Sequence, residues 1–222
     1  MLTLITRRGA LRAAFPIATA RDASTRQAEQ QRRATVADLA GPSYPIVRAL
    51  DTDADLTRIA GRPGRAQGAV FDLRGRVINT LSRPVAGALV EMWQANTHGR
   101  YAHGSDGNLD AALDPGFQGF GKQTTDAQGR FRFLSVVPGR YPVAHPAGTW
   151  LRTPHVHFAI RGKHDRLLTQ IYFEGEPGND TDLHYQTLSA EDQQTVTIRL
   201  HNATGKALAP RYGEWTVVLP TG

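Results

Sequence analysis

The chain has 222 residues, a formal net charge of +6 and no cysteine. That length buries one sizeable core and would leave two domains undersized. The missing cysteines exclude disulfides, thiolate nucleophiles and sulfur-held zinc or iron–sulfur centres, so any metal must sit among nitrogen and oxygen donors.

The charge is unevenly spread. Residues 1–40 carry seven arginines against three acidic residues, a balance of +4, which leaves +2 for the other 182. The body has no basic stripe with interleaved aromatics, so nucleic acid is not an expected partner. Nothing approaches the roughly 18 consecutive apolar residues of a membrane span, so no membrane partner is expected.

Along the chain, Thr6-Arg7-Arg8-Gly9-Ala10-Leu11 leads into a mildly apolar stretch ending Ala18-Thr19-Ala20. This resembles a twin-arginine export signal, although Arg12 and Pro16 interrupt the apolar run. Export to the periplasm or beyond and a cytoplasmic location both stay open. Residues 21–40 are polar and read as a linker or surface helix, so 1–40 form a basic leader with linker and 41–222 the domain.

From Gly41 the texture is short alternating runs broken by Gly and Pro. Strands are expected at Ala69–Asn79, Ala88–Trp93, Arg130–Leu134, His155–Ile160, Leu168–Phe173, Thr195–Leu200 and Trp215–Leu219. Seven short strands with turn signals between them predict an all-β sandwich. Helical pattern is confined to Asp53–Ile59 and Ala190–Gln194. The Gly/Asp-rich stretch from Tyr101 to Gln123 is a long loop, and loops of that length in a compact domain tend to be functional or disordered.

The most informative string is Trp150-Leu151-Arg152-Thr153-Pro154-His155-Val156-His157-Phe158. Side chains alternate along a strand, so His155 and His157 share a face about 7 Å apart and can converge on one metal. Pro154 suits the start of that strand. The other histidines, 98, 103, 145, 164, 184 and 201, lack such spacing and read as surface or loop residues. Tyr101 and Tyr141 each follow a strand at a sheet–loop junction, where sites are built; a lone tyrosine there also reads as a core cap with its hydroxyl in water.

Val90-Glu91-Met92-Trp93-Gln94-Ala95-Asn96, Gly99-Arg100-Tyr101, Pro138-Gly139-Arg140-Tyr141-Pro142, the Arg152–Phe158 string and Gln170-Ile171-Tyr172-Phe173 together resemble the intradiol ring-cleavage dioxygenases. Within that family the likeness is greatest to the iron-bearing β chains of protocatechuate 3,4-dioxygenases. The resemblance implies Fe(III) held by Tyr101, Tyr141, His155 and His157, with Tyr141 and His157 axial. It implies cleavage of a catechol-type substrate by O2 between its hydroxylated carbons to a cis,cis-muconate. Arg152 would stabilise negative charge on the substrate, Gln170 would hydrogen-bond substrate or ligand, and Tyr141 would take a substrate proton. An iron-free α chain or a homo-oligomer is the implied assembly. Val143 stands where the β chains typically carry Trp, and the Tyr141–Arg152 interval is one residue longer, so the ring substituent stays open. The competing reading is a non-catalytic transthyretin-like binding module, for which Gly75-Arg76-Val77 and Thr125–Phe131 would be equally suitable turn and strand strings. A four-ligand set separates the two, since a binding module has no use for it.

Overall fold

The computed structural model describes residues 31–38, 44, 51–146 and 148–222. The arginine-rich leader lies outside them. Of the two units into which the chain divides, the second, residues 32–222, is compact. The second unit includes residues 32–38, which the sequence pattern assigned to the linker: Thr35 N–H bonds to Val218 O at 3.0 Å and Asp38 N–H to Leu168 O at 2.8 Å.

Among the described residues eleven strands form an all-β sandwich, as expected. They are β1 (Val70–Asn79), β2 (Leu89–Trp93), β3 (Phe120–Thr124), β4 (Arg130–Val136), β5 (Tyr141–His145), β6 (Gly148–Arg152), β7 (His155–Arg161), β8 (Arg166–Phe173), β9 (Thr197–Ile198), β10 (Leu200–Asn202) and β11 (Arg211–Leu219). One sheet runs β10-β11-β1-β4 and the other β3-β2-β7-β8-β9, while β5 and β6 make a separate hairpin. β1 pairs with β11, and β8 with β9, in parallel, which makes both large sheets mixed.

Period-two alternation sends Phe71, Leu73 and Val77 of β1, Phe131 and Phe133 of β4, and Trp215 and Val217 of β11 into one core. Val90, Met92, Val156, Phe158, Ile160 and Ile171 meet them from the other sheet. Phe158 is the hinge of this packing, 4.8 Å from the Trp215 ring and 6.4 Å from both Phe131 and Phe133. Gly75 has to be glycine here, because a Cβ would meet the Phe131 ring at 1.9 Å.

Three local expectations give way. Asp53–Ile59 is not helical. Asp53 Oδ1 accepts the N–H of Asp55 and Asp55 Oδ1 that of Thr57, so the side chains take the donors a helix would use. The freed backbone lies against β4, with Leu56 N–H bonded to Leu134 O. The Thr195–Leu200 run is split, since the helix Ala190–Val196, N-capped by Ser189, extends through Val196 before β9 begins. The end of the 101–123 loop is β3, paired with β2.

Candidate metal centre

The face of the five-stranded sheet that turns away from the core carries the candidate residues. His155 and His157 of β7 point to it while Val156 and Phe158 point inward. Strand pairing then fixes their neighbours: Trp93 and Gln170 flank His157, and Tyr172 flanks His155. Trp93 stacks on His157 at 5.1 Å with the rings 6° from parallel, which holds the plane of that imidazole. The two imidazoles lie 4.9 Å apart.

The tyrosines follow two loop segments that touch back to back, Tyr141 as the first residue of β5. Gly99 has φ +77°, and a Cβ there would meet Arg140 O at 2.2 Å; one on Gly139 would meet Gly99 N and Thr97 O at 2.5 Å. Both loops are tied to Asn96, whose carbonyl accepts from Gly99 and Gly139 and whose side chain accepts from His98 and Arg100. Asp106 of the long loop accepts the N–H of Tyr101 at 2.7 Å. The result is a Tyr101–Tyr141 ring contact at 5.4 Å.

The four groups converge atom by atom. Tyr141 Oη is 3.0 Å from His155 Nε2, and Tyr101 Oη is 3.1 Å from His157 Nε2. His155 Nδ1 donates to Thr153 O at 2.7 Å, which leaves its Nε2 lone pair facing the tyrosine. Burial, reinforced by the charge of Arg152, lowers both histidines, His157 to about 3, so both imidazoles are neutral, the form that binds a metal. Burial likewise raises both phenols, Tyr101 more strongly, with Arg152 opposing the rise. A bound trivalent cation supplies the field that ionises such phenols. No cluster of three or more His, Cys, Asp or Glu suited to a metal occurs among the described residues; the oxygen atoms that stand beside these two histidines are the phenols of Tyr141 and Tyr101. This hard, neutral-plus-anionic donor set fits Fe(III).

Arg152 and Gln170 join the group. Arg152 Nη2 donates to Gln170 Oε1 at 2.8 Å, and its guanidinium lies 5.5 Å from the Trp150 ring. Trp150, Tyr172, Asp182 and His184 belong to the same neighbourhood; the first two stand inside sequence strings already singled out without being named for a role, and Asp182 and His184 have no local motif to mark them. His184, set by its spacing among the surface histidines, is half-buried and packs on Trp150 at 5.4 Å.

A sandwich bearing two histidines on an outward sheet face, met by Tyr101 from a loop and Tyr141 from the start of a hairpin, defines the class. A family model described as Dioxygenase matches residues 39–219, and the chain belongs to this intradiol dioxygenase family. It is 46% identical over 127 residues to a protocatechuate 3,4-dioxygenase β chain of Burkholderia cepacia, covering 56% of this chain and 53% of that one. It is 35% identical over 125 residues to catechol 1,2-dioxygenase 2 of Acinetobacter lwoffii, covering 51% and 43%. The chain thus spans about half the length of the curated relatives it matches. The dioxygenase domain of a dioxygenase carbohydrate-binding fusion from Streptomyces sp. SirexAA-E superposes with a TM-score of 0.58 at 26% identity, over 86% of this chain and 100% of that one. A 3-chlorocatechol 1,2-dioxygenase from Rhodococcus opacus 1CP shares the fold at a TM-score of 0.65 and 22% identity, over 90% and 78%.

Proposed function

We propose that the chain is an intradiol dioxygenase that opens a catechol-type ring with O2, using Fe(III) held by Tyr101, Tyr141, His155 and His157. The observation that carries this reading is the convergence of two phenol oxygens and two imidazole nitrogens in pairs at 3.0 and 3.1 Å. Bound there, ferric iron supplies Lewis acidity and a redox couple linking the electrons of a catechol to O2. The protein's own part is positioning and charge. Tyr141 is half-buried where Tyr101 is buried, so its oxygen is the one suited to accept a proton from a substrate hydroxyl. Arg152, fixed and dry, stabilises negative charge on the substrate, and Gln170 holds Arg152 from below. Tyr141, Val143, Trp150 and Arg152 share one face of the β5–β6 hairpin, which walls the substrate side. A transthyretin-like binding module leaves this donor set without a purpose.

The test is oxygen uptake across a panel of substituted catechols, with products identified by mass and iron measured in the same preparation. The expected result is a coloured protein with a broad visible tyrosinate-to-iron band and a muconate that has gained both oxygen atoms. A fully iron-loaded but colourless protein overturns the ligand set, and a yellow semialdehyde product overturns the cleavage position. Turnover by this chain alone, or only after adding an iron-free partner chain, decides the assembly.

A further inference from the structure

After β8 the chain passes through the turn Pro177–Asp180 into the short helix Leu183–Gln186. Asp182 stands between them with no exposed surface. Its Oδ1 accepts the N–H of Tyr185 at 3.0 Å and caps the helix. Its Oδ2 accepts from Arg152 Nε at 2.9 Å and from the N–H of Thr153 at 2.8 Å. A cap needs one side-chain oxygen; the second reaches back about thirty residues to the site.

Arg152 is held on a second edge as well. Its Nη2 donates to Gln170 at 2.8 Å and to the Tyr172 hydroxyl at 3.3 Å, and Nη1 has no hydrogen bond to any described residue. A buried guanidinium without a carboxylate would be desolvated and uncompensated. Asp182 supplies that carboxylate in a geometry that permits one orientation of the side chain.

We propose that Asp182 is a positioning residue of the site, fixing Arg152 so that its free Nη1 edge meets the negative charge that develops on the substrate. The substrate half of this statement rests on the ring-cleavage reading; the Asp182–Arg152 half does not.

The test compares wild type with Asp182→Asn, Arg152→Gln and the double variant. Asparagine keeps the shape and an oxygen for Thr153 while removing the charge opposite Arg152. Because the interaction is used as charge develops, Asp182→Asn should lower kcat by about tenfold or more while KM moves by less than about twofold. The double variant should be no slower than Arg152→Gln alone, since residues acting through one another are non-additive. Nitrogen-15 NMR of arginine side chains, on protein free of paramagnetic metal, supplies a readout independent of turnover. The slowly exchanging Nε–H signal that vanishes in Arg152→Gln should also be lost in Asp182→Asn. Wild-type kcat with an intact Nε–H signal in Asp182→Asn, or additive losses in the double variant, overturns the proposal. If Asp182→Asn alone fails to fold because Arg152 is left buried and unpaired, the double variant, which lacks that charge, still decides against Arg152→Gln: a further fall in kcat would mean that Asp182 acts elsewhere. A wild type without ring cleavage removes the substrate reading, and the NMR comparison then judges the Asp182–Arg152 relation alone.

Discussion

Gly139 lies against Gly99 so closely that a Cβ on it would stand 2.5 Å from the Gly99 nitrogen. This backbone contact brings Tyr101 and Tyr141, forty residues apart in sequence, to a 5.4 Å ring contact. Gly139→Ala must push the loops apart or strain them. The expected cost is about 1–3 kcal/mol in urea unfolding, with a much weakened visible band after iron loading. A wild-type spectrum in Gly139→Ala would show that the tyrosines are held together by something other than this contact.

Tyr141 and Tyr101 should behave differently when each loses its hydroxyl. Tyr141 is half-buried and stands on the hairpin, so Tyr141→Phe is expected to fold normally, lose band intensity and slow by about a hundredfold, the scale of a lost general base. Tyr101→Phe removes a buried hydroxyl from His157 Nε2 and is expected to lower iron retention more than Tyr141→Phe does. Iron content after dialysis, set beside kcat, separates the two effects. Unchanged turnover in Tyr141→Phe would take Tyr141 out of the proton transfer.

Only the histidine half of the proposed donor set was readable from a local rule; Tyr101 and Tyr141 joined it through the resemblance to a family. The alternation that puts His155 and His157 on one face holds for any strand, whereas Gly99-Arg100-Tyr101 lies in the loop well past the end of β2 and Gly139-Arg140-Tyr141 runs into the start of β5. The hairpin β5–β6 was less legible, since Pro142 breaks strand propensity and is tolerated only because the hairpin stands apart from the two large sheets. β3 was hidden by Gly121, which is needed because a Cβ there would meet Asp53 O at 2.4 Å. Trp150, Tyr172 and Asp182 depend on register and on the course of the chain after β8. No spacing rule connects Asp182 to Arg152.

On the opposite sheet, Asp72 offers a test of stability independent of the proposed metal centre. Burial alone would raise its carboxyl, but hydrogen bonds from Arg132 and Arg74 outweigh it and hold the group below its ordinary value of 3.8. A carboxyl depressed in the folded state stabilises above its unfolded value and loses that contribution as pH falls through the folded one. Asp72→Asn should therefore lower unfolding stability at pH 7, by about 1 kcal/mol because both arginines are partly exposed and screened. The difference from wild type should shrink as pH falls below 3.8. Urea midpoints at pH 7 and pH 3 measure it, and an equal difference at both would assign the loss to packing instead.

Val143 and Trp150 are paired across the hairpin, on the face shared with Tyr141 and Arg152. The small side chain leaves room, and the large one, packed on His184 and beside the Arg152 guanidinium, fills the partner strand. An aromatic wall thus comes from β6, opposite the position where sequence comparison within the family would look for it. Trp150→Ala is expected to raise KM by roughly ten- to a hundredfold, the range for a lost apolar contact in a pocket, while kcat changes less. Val143→Trp narrows the same space from the other strand and should penalise bulky ring substituents while sparing unsubstituted catechol. Steady-state kinetics on small and large catechols measure both effects. Equal KM changes for all substrates in Val143→Trp would mean that the hairpin face does not meet the substituent.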